Sequence, residues 1–351
     1  MNSNSVTKNL QKGNEHISPS TNHSPDSNSP NLNNPRPNTT NPNTQKKINL
    51  KVIKDIQECQ QLWNKYSPHR TLWDEWEIAL VFYDPLISEP HFILVEDENN
   101  IPLGLFPFIF KKETGLYRMF GGDYGEDYLF WLDPIHLNMI IHHIPGEIKI
   151  FDINGDAAKQ AIKNDPKLST FLTFDDYHYF IDLEKFHHKL EEYLQTFTKK
   201  HRKNFLYDLR KIQETPYTFH WEGIEHYDDF VKFSVARFQE ESDFIDEHYV
   251  RCFKKLLTLL HKKQKLLTLT VSLDGILQGL EFAVFDKGIY YVLNGGYNPQ
   301  HQNLGKLIIF KHLENAIKLK AQRIDFLSGD TGWKKLWNSQ TEEYYSLRKI
   351  S

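Results

Sequence analysis

The pattern of hydrophobic and polar positions divides the chain into three parts. Residues 1–47 consist mainly of Asn, Ser, Pro and Thr and contain no aromatic side chain. Such a segment buries too little apolar surface to offset the entropy that is lost on ordering. We therefore predict a disordered tail over residues 1–47 and ordered structure from residue 48 onward.

In residues 48–183, some stretches have apolar side chains at helical spacing and others have apolar side chains at every second position, as in strands. Apolar side chains spaced three and four apart predict helices over residues 56–66 and 72–81. Alternating apolar and polar positions predict two paired strands over residues 91–96 and 101–110, joined by an Asn-Asn turn. The further predicted elements of this part are strands at residues 50–53, 147–153 and 177–183 and helices at residues 135–143 and 157–163.

Residues 184–351 begin with a long charged stretch, residues 186–214, whose apolar positions have helical spacing. Asp274-Gly275 and Lys287-Gly288 are hairpin turn signals, and they predict a three-stranded meander over residues 265–294. The remaining predicted elements are strands at residues 217–221, 323–326 and 343–349 and helices at residues 227–240, 247–262 and 304–319. This order predicts an α/β fold of two units, each a mixed sheet flanked by helices, with a cleft between them.

Composition and charge narrow the function only in part. The formal net charge is −4, yet residues 185–351 carry 26 Lys and Arg against 21 Asp and Glu. A basic half suits an anionic ligand, and a coenzyme pyrophosphate, a nucleic acid and an anionic membrane surface all fit that description. Two cysteines, the lack of an apolar run of about 20 residues and the lack of a signal-peptide pattern predict a cytoplasmic protein. The adjacent histidines at 142–143 and 187–188 diverge on regular elements, so we predict no metal site.

A candidate anion-binding segment follows the predicted strand at residues 289–294. It runs through a glycine-containing loop into the predicted helix that starts at residue 304. Free backbone N–H groups and the helix dipole attract phosphate at such a helix start, and a lysine adds charge. The candidate cofactor-binding residues are Gln302, Asn303, Leu304, Gly305 and Lys306. An ordinary strand-to-helix connection also fits this segment when it is taken alone.

Several elements within residues 296–337 occur in the order that is typical of one family. They are Gly296-Tyr297-Asn298-Pro299, Gly305, Ile324-Asp325-Phe326-Leu327-Ser328-Gly329-Asp330, Trp333-Lys334 and Trp337. Together they resemble the GNAT superfamily of acyltransferases, in the branch of CelD-like and Fem-type transferases. Looser similarity is carried by Trp73 and Trp76, by Asp127-Tyr128 and by the basic stretch at residues 198–210.

The resemblance implies two GNAT-like domains, residues 48–183 and 184–351, with the acyl-CoA site in the second. It implies direct transfer from acetyl-CoA or another acyl-CoA to a sugar amine, a sugar hydroxyl or another cell-envelope precursor. The superfamily's phosphate-binding pattern, (Q/R)-x-x-G-x-(G/A), matches Gln302 and Gly305, whereas the bulky Leu307 replaces the last small residue. Two alternatives stay open, a Fem-type transferase that uses aminoacyl-tRNA and a non-catalytic binding module. Apart from tRNA, no nucleic-acid partner is implied.

Direct acyl transfer requires a base for the acceptor proton and a donor for the leaving thiolate. The candidate catalytic residues are Glu281, Asp325, Tyr291 and Tyr297. Glu281 lies on an otherwise apolar strand, where a buried carboxylate is costly and often functional, although strand alternation equally allows it to face solvent. The tyrosines also fit packing roles. The candidate substrate-binding residues are Asp127, Tyr128, Asp330 and Lys334, for which loop capping by Asp127 and a turn held by Asp330 are the alternatives.

Overall fold

The computed structural model describes residues 47–122, 124–329 and 332–350. The predicted disordered tail lies outside the described residues except for Lys47, and so does the candidate substrate-binding residue Asp330. The described chain contains both helices and strands, and the strands join into a sheet with helices against both faces. The prediction of an α/β fold with a mixed sheet flanked by helices is confirmed.

Twelve strands and nine α-helices lie in the described part of the chain. The strands are β1 (Asn49–Ile53), β2 (Ser88–Glu96), β3 (Pro102–Lys111), β4 (Leu116–Met119), β5 (Ile148–Asn154), β6 (Leu172–Asp182), β7 (Thr218–Glu222), β8 (Leu266–Leu273), β9 (Ile276–Asp286), β10 (Ile289–Tyr297), β11 (Arg323–Ser328) and β12 (Gln340–Lys349). The helices are α1 (Ile56–Tyr66), α2 (Trp76–Leu80), α3 (Leu137–His143), α4 (Gly155–Asn164), α5 (Leu190–Leu194), α6 (Lys199–Gln213), α7 (Tyr227–Phe238), α8 (Glu247–Lys262) and α9 (Leu304–Lys318). None of the described helices has both the length and the apolar character that crossing a membrane requires.

The strand order of the sheet is β1-β2-β3-β4-β5-β12-β6-β11-β10-β9-β8-β7. Neighbouring strands are antiparallel, except that β4 pairs in parallel with β5 and β10 with β11. The last strand, β12, inserts between β5 and β6, and β6 also pairs with β11. The boundary predicted after residue 183 therefore follows a strand that is hydrogen-bonded to two strands from beyond that boundary. The division into two domains at this residue stays a prediction.

Alternation along β10 assigns its side chains to the two faces of the sheet. Tyr290 and Val292 pack in the core under α9, together with Leu307 of that helix. Tyr291 and Leu293 lie on the other face, in the core that α7 and α8 cover. β10 is therefore anchored on both faces, which fixes the position of its carboxyl end.

Several predicted element boundaries differ from the structure, and two of the differences lie next to the candidate site. The charged stretch predicted as one long helix is divided into α5 and α6. The division arises because the Thr198 hydroxyl accepts a hydrogen bond from the N–H of His201 at 3.2 Å and starts a new helix there. The strand predicted over residues 289–294 continues to Tyr297, since the two glycines before Tyr297 still pair with β9.

Candidate active site at the fork between two strands

The two parallel strands β10 and β11 separate part of the way along their length. Their pairing ends with Tyr291 opposite Asp325. Beyond that point each strand has a bulge against its other neighbour, β10 against β9 and β11 against β6. The sheet therefore opens into a fork, which we define as residues 292–295 of β10 and residues 326–328 of β11.

A cavity of about 860 Å³ lies at the fork. Its size is that of an ordinary small-molecule site. The fork residues that line the cavity are Val292, Leu293, Asn294, Gly295, Phe326, Leu327 and Ser328. The other walls come from the segment after β4, from β5 and β6, from α6 and α7, and from the start of α9. Both parts of the sheet therefore contribute to the same cavity.

The start of α9 forms one side of the cavity. Gly305 and Lys306 line it, and a Cβ atom at Gly305 would lie 2.6 Å from the ring of Tyr297. Glycine at this position therefore allows the Tyr297 ring to lie against the helix start. The Lys306 ammonium group contacts the Asp208 carboxylate on α6. A cationic side chain and the positive end of a helix dipole thus border the cavity together.

The other residues predicted to bind a cofactor do not line the cavity. Gln302 is exposed, Asn303 precedes α9 with a left-handed φ of 64°, and Leu304 is fully buried. Leu307, the departure from the phosphate-binding pattern, is also fully buried in the core beneath α9. Its bulky side chain therefore occupies the core and does not crowd the cavity.

Glu281 projects into the cavity from β9. Its carboxylate lies over Gly295, where an added Cβ atom would come within 2.0 Å of one carboxylate oxygen. Burial raises the pKa of Glu281 to about 8, and the charge of Arg237 acts in the opposite direction. A carboxyl group that titrates near neutral pH is suited to exchange a proton with a reacting group.

The two candidate tyrosines have different surroundings. Tyr297 lines the cavity, and the Arg237 guanidinium group lies 4.9 Å from the centre of its ring. Tyr291 is buried on the face toward α8, with its ring edge-on to Trp73 at 5.9 Å, and it does not line the cavity. Of the two, Tyr297 is the one that faces the cavity.

Asp325 lies behind the cavity wall in a buried ion cluster. Its carboxylate is 2.7 Å from Nε2 of His178 and 3.0 Å from the guanidinium group of Arg323. Burial alone raises the pKa of Asp325, but the charge and the hydrogen bond of His178 hold it below the ordinary value. Burial lowers the pKa of His178, and the Asp325 charge overcomes this effect and raises it to about 10. The two side chains are therefore an ion pair at neutral pH.

The candidate substrate-binding residues of the N-terminal part have partners within the protein. Asp127 has a φ of 60°, forms an ion pair with Arg70 at 2.9 Å and accepts a hydrogen bond from Asn154 at 2.8 Å. Tyr128 is buried, and its hydroxyl donates to the carbonyl oxygen of Gly121 at 3.3 Å. Neither Asp127 nor Tyr128 lines the cavity.

Lys334 does line the cavity, but its ammonium group is bound to backbone oxygens of the fork. It donates to the carbonyl oxygens of Leu327 at 3.1 Å and of Ser328 at 2.6 Å. The side chain also lies over the ring of Tyr179, with Nζ 5.4 Å from the ring centre. The charge of Lys334 therefore stabilises the carbonyl groups at the fork.

The sequence reasoning missed the acidic side of the cavity. Glu126, Asp152, Asp175 and Asp176 line it from the N-terminal part of the sheet. Glu126 is 8% exposed, and burial, followed by the charge of Asp152, raises its pKa. The one available signal was the position of Glu126 next to the candidate residue Asp127. Asp175 and Asp176 are consecutive on β6, and only the sheet, with β12 between β5 and β6, brings them near Asp152.

The arrangement combines three features of a group-transfer site. A carboxyl group that exchanges a proton near neutral pH faces the cavity, the positive end of a helix borders it, and two strand edges open into it. Such a site can bind an anionic ligand and can accept a proton from an incoming nucleophile. The described residues contain no group of three or more side chains that could hold a metal ion.

Comparisons with known proteins bear on the family and the fold. Residues 199–335 match the family described as Acetyltransferase (GNAT) domain, and no curated protein shows significant similarity to the sequence.

The solved structure of FemX is similar with a TM-score of 0.55 and 13% identity, over 84% of this chain and 96% of that chain. A conserved protein of unknown function from Bacteroides thetaiotaomicron VPI-5482 is similar with a TM-score of 0.52 and 10% identity, over 85% and 99% of the two chains. A tandem GNAT protein from the clavulanic acid biosynthesis pathway is similar with a TM-score of 0.50 and 9% identity, over 86% and 98% of the two chains.

The matched domain extends from α6 to the turn before β12, so it contains both the fork and the start of α9. At these low identities the solved structures show a common fold, and the likeness covers most of both parts of the sheet. Residues 199–335 therefore match a GNAT domain, and the fold of the described chain is similar to that of a tandem GNAT protein.

Proposed function

We propose that this protein is an acyltransferase that moves an acyl group from acyl-CoA to an amine or hydroxyl acceptor at the fork. The observation that carries the proposal is the position of Glu281, which faces the same cavity as Gly305 and Lys306 at the start of α9. A proton acceptor and an anion-binding helix start on one cavity are two parts that transfer from a phosphate-bearing donor requires.

The donor is proposed to lie along the open edges of the fork. Its phosphates are attracted to the N-terminal end of α9 and to Lys306, which exchanges its contact with Asp208 for the ligand. Its amide-bearing arm suits the strand edges, because a peptide-like chain adds to an open sheet edge through backbone hydrogen bonds. We expect this orientation to direct the acyl thioester toward Glu281.

The proposed reaction is a direct exchange of bonds at the acyl carbon. The acceptor nitrogen or oxygen forms a bond to that carbon, its proton passes to Glu281, and the bond from carbon to sulfur breaks. The leaving thiolate takes a proton, for which the Tyr297 hydroxyl is the proposed donor. Backbone N–H groups at the β10 bulge are the proposed donors to the developing oxyanion, and one such donor is worth about 3–4 kcal/mol.

A sugar amine, a sugar hydroxyl or another cell-envelope precursor is the proposed acceptor. The family resemblance suggests this class, and the cavity agrees with it in size and in polarity. Its acidic side, with Glu126 and Asp152, offers oxygen atoms that accept hydrogen bonds from hydroxyl and ammonium groups.

A thiol-release assay tests the proposed activity. The full chain is incubated with acetyl-CoA and a panel of amino sugars, neutral sugars and diamines, and the CoA thiol is measured over time. We expect acceptor-dependent release with the wild type, a loss of about 100-fold or more with Glu281→Gln, and the full rate with the exposed control Glu113→Gln. Equal release in all three proteins would remove Glu281 from the mechanism. Tight acetyl-CoA binding without release to any acceptor would favour a non-catalytic binding module.

Transfer from aminoacyl-tRNA is a second candidate, and one observation favours it. The basic side chains Lys199, Lys200 and Lys203 are exposed at the start of α6, and His201 from the same turn lines the cavity. A cationic surface beside the cavity suits an RNA backbone. RNA that copurifies with the chain and competes with acetyl-CoA would decide for this candidate. A lack of tRNA binding at about 50 mM salt would decide against it.

A further inference from the structure

Ionisable side chains bind the backbone of the β11 residues in the fork, where β11 no longer pairs with β10. The N–H of Leu327 donates to Asp325 at 3.0 Å, and the N–H of Ser328 lies 2.9 Å from both carboxylate oxygens of Glu126. Lys334 donates to the carbonyl oxygens of the same two residues at 3.1 and 2.6 Å. All four backbone polar groups of Leu327 and Ser328 are therefore satisfied by ionisable side chains.

The β10 arm of the fork is held from the same short segment that supplies Glu126. The Tyr124 hydroxyl donates a hydrogen bond to the side-chain oxygen of Asn294, within the β10 bulge. Packing fixes the Tyr124 ring, which is stacked on Phe82 with 6.0 Å between the ring centres. Residues 124–128 therefore contact both strands of the fork, β10 through Tyr124 and β11 through Glu126.

The conformation of β11 at the fork requires this support. Leu327 has a φ of 62°, a left-handed conformation that residues with a Cβ atom rarely adopt. The N–H and carbonyl groups there have left the β10 ladder, and a buried backbone group without a partner destabilises the fold. Ser328 adds a third contact to Glu126, because its hydroxyl donates to the carboxylate at 2.9 Å. Loss of these partners would allow β11 to take another path.

We infer that residues 124–128 bridge the fork, and that Tyr124 and Glu126 are positioning residues which set the width of the opening for the acyl donor. The inference rests on the proposed function for its ligand, because acyl-CoA is the molecule proposed to occupy the opening. In this way the N-terminal part of the sheet would help to position an acyl donor that binds to the C-terminal part.

Paired variants remove the two bridging contacts with little change in shape. Tyr124→Phe keeps the ring and removes the hydroxyl, and Glu126→Gln keeps the length of the side chain and removes one acceptor oxygen. The matched controls are Tyr207→Phe and Glu113→Gln, both at exposed positions. The test protein is the full chain that carries both bridge substitutions, and the control chain carries both surface substitutions.

Hydrogen exchange of the backbone amides, read by mass spectrometry, is the first measurement. We expect the double bridge variant to exchange about ten-fold faster or more over residues 292–295 and 326–328. The amides of β8 and of α9 should keep their wild-type exchange, and the control chain should match the wild type throughout. Unchanged exchange at the fork would overturn the bridge. Equal acceleration across the whole sheet would also overturn it, since that result indicates a general loss of stability.

The dissociation constant of acetyl-CoA, from calorimetric titration, is the second measurement. We expect it to rise about ten-fold in the double bridge variant and to stay unchanged in the control chain. Faster exchange at the fork with wild-type affinity would contradict the positioning role. If the wild type binds no acetyl-CoA, the proposed function fails, while the exchange pattern still decides whether residues 124–128 bridge the fork.

Discussion

Replacement of Glu281 by glutamine should change activity and stability in opposite directions. The variant keeps the size of the side chain and removes its charge. In the wild type, burial raises the pKa of Glu281 from the ordinary value of 4.5 to about 8, against the effect of Arg237. The carboxyl group is therefore mostly protonated at pH 7 and mostly ionised at pH 9. Because the ionised form is the base, the wild-type rate should rise through this range.

The size of the rate effect follows from the ionised fraction. That fraction increases from about one tenth at pH 7 to about nine tenths at pH 9, so kcat/KM should increase by about ten-fold. Glu281→Gln should lose about 100-fold or more in rate, and it should lose this part of the pH dependence. An amine acceptor titrates with a pKa of its own, so the comparison between the two proteins isolates the contribution of the carboxyl group.

The stability effect has the opposite sign. A carboxyl group with a raised pKa binds more protons in the folded state than in the unfolded state. The free energy of unfolding therefore falls as the pH rises from about 4.5 to about 8. The full difference corresponds to an upper limit of about 5 kcal/mol, which water in the cavity reduces by screening. Glu281→Gln should therefore be more stable than the wild type at pH 9 and similar to it at pH 4.5.

Urea unfolding at pH 4.5 and pH 9, together with the dependence of kcat/KM on pH, measures both effects. We expect a higher unfolding midpoint for Glu281→Gln than for the wild type at pH 9 only, and neither change for the exposed control Glu113→Gln. A variant that keeps the increase in rate between pH 7 and pH 9 would refute the role of Glu281 as the base. Equal stability of the two proteins at pH 9 would refute its raised pKa.

Three further predictions concern the helix start, the core beneath it and the buried ion pair. Gly305→Val should weaken acetyl-CoA binding by about ten-fold or more in calorimetric titration, because a Cβ atom there lies 2.6 Å from the Tyr297 ring. Leu307→Ala should lower the free energy of unfolding by about 2–5 kcal/mol, as expected for a fully buried side chain, with little change in that binding. His178→Ala should cost about 3–5 kcal/mol at pH 7 because it leaves Asp325 without its nearest partner. Since the pKa of His178 is raised to about 10, the contribution of the pair should be complete below pH 6.5 and disappear through pH 10 in urea unfolding.

Each of these three predictions has an outcome that contradicts it. Wild-type affinity in Gly305→Val would remove the start of α9 from the donor site. Weaker acetyl-CoA binding with unchanged stability in Leu307→Ala would place this side chain in the cavity. Unchanged stability of His178→Ala at pH 7 would show that the buried pair does not support the fold.

The order of strands and helices in the C-terminal part was predictable because its signals are local. The turn preference of Asp274-Gly275 and Lys287-Gly288 depends on these residues themselves, and both connect paired strands in the structure. The position of β12 between β5 and β6 was not predictable. Those strands are far apart in the sequence, and no local pattern records which of them become neighbours.

The candidate site was predictable at the start of α9, through the strand–loop–helix pattern around Gly305 and Lys306, and at Glu281, which conflicts with its own strand. Glu281 is recognisable in the sequence as a single carboxylate on an apolar strand. The direction of its side chain, however, depends on the bulges that open the fork. Tyr124 and Glu126 carry no such signal. Their partners Asn294 and Ser328 are 170 and 202 residues away, so only the folded sheet brings them together.

Calorimetric titration of the full chain with acetyl-CoA decides whether the fork is a donor site. We predict saturable binding at one site with a dissociation constant below about 1 mM. Gly305→Val should weaken this binding about ten-fold or more, and the exposed control Glu113→Gln should leave it unchanged. A titration without saturable binding at millimolar acetyl-CoA, or binding that Gly305→Val does not affect, would contradict the assignment of the fork as the acyl-CoA site.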